Sequence, residues 1–116
     1  MAYHQSDYRQ ALDYYRQSLT IAHSTQALAL LLISLLGFAW HYLQGNEPTR
    51  AGELCGLAQH HPAFNSDVEE HTDEVLPLLQ AALPPAELLV ALERGKILDL
   101  DTVVTELLDE FGEDNA

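Results

Sequence analysis

The chain has 116 residues, 47% of them apolar, which suits one domain with a single sustained core and excludes a disordered chain. Its formal net charge is −13, with only five lysines and arginines. A duplex-binding surface needs cations to displace counterions, and an anionic membrane repels such a chain, so the expected partners include no nucleic acid and no membrane. The single cysteine, Cys55, has no internal partner for a disulfide and reads as a small buried hydrophobe beside Leu54 and Ala58. The N-terminus carries no basic segment followed by an apolar one, so the expected location is cytoplasmic.

Apolar residues at Tyr8, Ala11, Leu12, Tyr15, Leu19 and Ala22 follow steps of three and four, with one step of one, which predicts a helix from about Asp7 to His23. The few residues before it are not expected to cover that stripe. Ser24 and Thr25 are candidate caps for a second helix running to about Leu43. Its stretch "ALALLLISLLGFAW", residues 27–40, is apolar on every side but shorter than the roughly 20 residues of a membrane span. It reads as the most buried helix of the fold.

"QGNEP", 44–48, is a turn, and Pro48 suits the start of a third helix that ends near "HHP" at 60–62. Ser66 and Glu69 form a candidate capping box for a fourth helix, with Val68, Thr72, Val75, Leu76, Leu79 and Ala82 facing inward. Pro77 inside it predicts a kink or a break. "LPP" at 83–85 opens a short fifth helix carrying Leu88, Leu89 and Leu92, which Gly95 is expected to stop. Asp99 caps a sixth, with Leu100, Val103, Val104, Leu107, Leu108 and Phe111 on one face. No segment shows a period of two flanked by turn chemistry, so the fold class is all-α, with antiparallel helical hairpins and a helical C-terminal cap, about six helices in all.

Two resemblances follow from these residues. Asp7, Tyr8, Ala11, Leu12, Tyr14, Tyr15, Ser18 and Leu19 resemble the second helix of a tetratricopeptide unit, a helical hairpin of about 34 residues. "LLGFAW", 35–40, looks like the first helix of the next unit, with Gly37 at the small position and Trp40 at the aromatic one. "RAGELCGLA", 50–58, resembles its second helix, although the spacing from Gly37 to Ala51 is about two residues long for the family and Cys55 replaces an aromatic. The C-terminal third, with Arg94, Gly95, Lys96, Ile97, Leu98, Asp99 and Leu100 at a turn before a final amphipathic helix, is similar to the ends of large bacterial STAND-class signalling ATPases and transcriptional activators.

The resemblances imply repeat helices over 1–62 and an acidic helical cap over 63–116, in one compact domain. They imply a non-catalytic module for protein–protein or interdomain interaction in a cytosolic bacterial regulator, excised from a longer parent. The alternative is a small-ligand sensor that binds the regulator's inducer. The candidate interaction surface is Tyr8, Leu12, Tyr15 and Leu19, on a groove face formed by the first two helices. It would contact upstream repeats, another protein, or a second copy in a homodimer through helix one.

No enzyme chemistry is expected. The sequence has no phosphate loop, and no nucleophile–base pattern can be read from it. His60, His61 and His71 lack the spacing of helical metal ligands. The acids Asp67, Glu69, Glu70, Asp73 and Glu74 lack that of a calcium loop and read as a solvated face. Catalytic residues, cofactors and metals are therefore expected to be none. Charge is divided along the chain: residues 1–64 hold four acids against three cations, and residues 65–116 hold fourteen against two. The division suggests a nearly neutral packing half and a repulsive half suited to solvent or to a basic partner.

Overall fold

The structure is a computed structural model and describes residues 5–111, with side chains described from Gln10 onward. Among the described residues the chain is all-α, with six helices and no strand: α1 Gln5–Thr25, α2 Leu28–Gln44, α3 Pro48–His60, α4 Ser66–Ala82, α5 Pro85–Lys96 and α6 Leu100–Phe111. The axial extents are 39, 34 and 25 Å.

The centre is α2. Helices α1, α3 and α4 all pack on it. Leu31, Leu32, Leu35, Leu36, Phe38 and Ala39 are buried, as the unbroken apolar run requires. Each fully buried leucine contributes about 1.5–3 kcal/mol relative to an exposed one. The short links at 26–27 and 45–47 fold α1, α2 and α3 back on one another.

The first link differs from expectation. Ser24 and Thr25 belong to the last turn of α1, and both hydroxyls donate to the Ile21 carbonyl, at 3.1 and 2.8 Å. These are local bonds to the carbonyl three or four residues back, which compete with capping of the next helix, so the hydroxyls finish α1 instead of starting α2. Gln26 then takes a left-handed turn, φ 59°.

Helix α3 lies against α5 through glycine. A methyl group added to Gly56 would meet the backbone of Leu92, and one added to Gly95 would meet the backbone at Glu53 and Leu57. A methyl on Gly52 would lie 2.8 Å from the Ala91 Cβ. Gly95 is thus inside α5 and has no positive φ. It does not stop the helix; it lets two backbones approach.

Helix α4 is capped one residue earlier than expected, by Asn65, whose Oδ1 accepts from the Val68 amide at 3.0 Å. The helix continues through Pro77, which is exposed. The carbonyl that Pro77 cannot serve belongs to Asp73, on the exposed side, where it is open to solvent. Val68, Thr72, Val75 and Leu79 are buried, whereas Ala82 is exposed because the helix ends there.

Helix α6 forms as the sequence predicts. The Asp99 carboxylate accepts from the Thr102 amide and hydroxyl, at 3.0 and 2.9 Å, bonds that hold it below the usual carboxylate range. Val103, Val104 and Leu107 are buried, with Leu100, Leu108 and Phe111 partly so. The helix packs on α1, and its last turn reaches α2. There Phe111 meets Phe38 and His41 with ring centroids at 5.2 and 5.0 Å, and Tyr42 donates to Glu110 at 2.8 Å.

Candidate functional site

Helices α1 and α4 stand on either side of one face of α2 and leave a groove of about 1000 Å³ between them. The floor is an α2 stripe of Leu30, Ile33, Ser34, Gly37 and Trp40, at steps of three, one, three and three, with Leu36 beside it. Gln10, Ala11, Tyr14, Tyr15 and Ser18 of α1 form one wall. His71, Glu74, Val75 and Leu78 of α4 form the other.

The α1 wall is set by a small residue on α2. Tyr15 reaches the floor because residue 37 is glycine: a Cβ there would lie 2.5–2.7 Å from three atoms of its ring. Tyr15 also meets Phe38, centroid to centroid 6.3 Å, and Tyr14 packs edge-on against it at 5.9 Å. Tyr14 itself is 66% exposed, and Leu78 across the groove is 42% exposed, so each rim presents a large apolar or aromatic side chain. Of the α4 acids, Asp67, Glu70 and Glu74 are exposed, Glu74 lines the groove, and none of the three makes an ion pair among the described residues.

Beneath the groove, Ser34 is 2% exposed, and its hydroxyl has no hydrogen-bond partner among the described residues. Such a buried hydroxyl costs about 1–3 kcal/mol.

The four residues expected to form the interaction surface are separated by the fold. Tyr15 lines the groove. Leu12 is half-buried against the core and does not line it. Leu19 is fully buried, so it is a core residue and offers no surface; α2 covers that end of the stripe. The side chain of Tyr8 lies outside the described residues. What the sequence reading missed is the α4 wall and the exposed Tyr14. The exposed side of α4 looks in sequence like an ordinary solvated face, and only the fold brings it opposite α1.

Two other groups of side chains have a different character. Cys55 is buried, and loss of solvent pushes its thiol up to about 12, which keeps it protonated and inert. Tyr42 is pushed up to about 12 as well, by burial first and then by the bond it donates to Glu110. Arg50 reaches Glu53 and Glu106, both at 3.4 Å, and lies 5.9 Å over the Tyr42 ring. This cluster ties α2, α3 and α6 together. Among the described residues, no three His, Cys, Asp or Glu side chains are placed to hold a metal. No described helix is long and apolar enough to cross a membrane.

No family model matches the chain, and neither does any curated protein or solved structure.

Proposed function

We propose that this chain is a non-catalytic helical module that makes protein–protein or interdomain contacts, through the groove between α1 and α4, within a cytoplasmic bacterial regulator. The observation that carries the reading is the groove itself: an open trough with an apolar floor, and with large apolar or aromatic side chains, Tyr14 and Leu78, exposed on both rims. Exposed apolar surface of this kind marks interaction sites. The tetratricopeptide-like residues of α1 and α2, and the STAND-like C-terminal segment, support the setting in a regulator. The inert Cys55 gives no support to a thiol chemistry. Self-association through α1 draws less support, since the stripe that would drive it is covered at Leu19 and Ala22.

A photo-crosslinking amino acid placed at Tyr14 or Leu78 in the producing cell tests the reading. We expect a discrete protein adduct from both positions and none from Thr105, an exposed residue on α6. Adducts that are absent from the groove positions, or equal at Thr105, overturn it.

A second reading is a small-ligand sensor. It is favoured by the unpartnered Ser34 hydroxyl under a groove whose volume is in the range of ligand sites. A metabolite that raises the melting temperature of the wild type but not of Ser34→Ala would select this reading.

A further inference from the structure

Resting on the groove reading above, we propose that the occupant is a basic amphipathic helix of about three turns, contributed by a partner protein or domain.

The length comes from the floor. Leu30 to Trp40 spans ten residues of α2, about 15 Å, which a segment of similar helical length covers. The helical conformation comes from the lining. The groove is bordered by helices whose backbones are already paired, with no strand edge to extend. Its polar side chains, such as Gln10, Ser18 and His71, are too few to satisfy the amides of an extended peptide. A helix satisfies its own backbone and needs only an apolar stripe for the floor.

The sign of the charge comes from the rim. Glu74 lines the groove, and Glu70 and Asp67, four and seven residues before it and so on the same side of α4, are exposed, with no lysine or arginine on that helix. Their charges add to those of a C-terminal half that holds fourteen acids against two cations. A helix with lysine or arginine flanking its apolar stripe sets opposite charge against this rim. A second copy of this acidic chain or an acidic helix sets like charge there. The same field speeds the approach of a basic partner.

Trp40 is the only tryptophan and lines the floor, so its emission reads the occupancy of the groove directly. The probes are three end-capped peptides of about 15 residues without tryptophan. One carries leucine on a single helical stripe with lysine flanking it. The second has glutamate in place of lysine. The third has the composition of the first in an order with no stripe.

The lysine helix should blue-shift Trp40 emission saturably. Its affinity should fall about tenfold in the surface variant Glu70→Lys/Glu74→Lys and fall further with added salt. The glutamate helix and the scrambled peptide should each bind at least about tenfold more weakly. Equal binding of the lysine and glutamate helices overturns the basic partner and leaves the groove reading intact. Equal binding of the scrambled peptide overturns the helix. No shift with any peptide, alongside discrete crosslinks at Tyr14 and Leu78, also overturns the proposal, because the groove then takes a partner of another shape. Loss of those crosslinks as well removes the groove reading itself.

Discussion

The ring of Tyr15 rests on the backbone of Gly37, so close that no side chain fits between α1 and α2 at that point. The relationship holds one wall of the groove against its floor. Gly37→Ala gains up to about 1 kcal/mol of helix propensity. It also forces the Tyr15 ring aside, an overpacking cost of about 1–3 kcal/mol. We expect a net loss of about 1 kcal/mol in denaturant unfolding. Tyr15→Ala should make the same change at Gly37 neutral or favourable. Additive losses in the double variant would mean that the two residues do not interact.

The seam between α3 and α5 should be less forgiving. At Gly56 and Gly95 an added methyl meets backbone, which cannot rotate away as a side chain does. Gly56→Ala or Gly95→Ala should therefore cost about 3 kcal/mol or more, at the upper end of overpacking effects. Gly45 is the contrasting case. It is exposed, has φ −86°, and the nearest atom to an added methyl is 3.6 Å away. Gly45→Ala should be neutral or stabilising by about 0.5 kcal/mol. Thermal melts of the three variants side by side decide whether the seam is as tight as its geometry.

How much of this was readable in the sequence depends on the range of the interaction. The α6 stripe and its Asp99 cap were legible because both are set within four residues. So was the central place of α2, because its apolar run leaves no face for water. Gly95 was misread because a helix-ending glycine and a close-packing glycine look alike until the partner helix is known. The α4 cap lies one residue earlier, at Asn65, and the Ser24 and Thr25 hydroxyls bond within α1 instead of capping α2, since neighbouring polar side chains compete for the same backbone groups. Half of the groove was hidden for a long-range reason. His71, Glu74 and Leu78 sit more than fifty residues along the chain from Tyr14 and Tyr15, and no local pattern announces that they face them.

Ser34 gives a prediction that runs against the usual direction of core mutations. Its hydroxyl is buried without a partner, and Ser34→Ala removes that cost while improving helix propensity. We expect the variant to be more stable by about 1 kcal/mol in urea unfolding. A destabilised variant would reveal a bridging water that satisfies the hydroxyl.

The last turn of α6 makes stability depend on pH through His41. Burial against Phe111 and Tyr42 lowers its pKa below 6.5, and the opposing carboxylates of Glu110 and Glu47 only partly offset this. The unfolded chain takes up the proton near 6.5, and the folded protein only at a lower pH. In the window between, the unfolded state binds more protons, so stability falls as pH drops below about 6.5 and is unaffected by this residue above it. His41→Gln cannot titrate there. Melting temperatures between pH 7.5 and 5.5 should fall more for the wild type than for the variant, above the range where most carboxylates titrate. Parallel curves would show that His41 is free to take its proton in the folded state, and that Phe111 does not seal it from water.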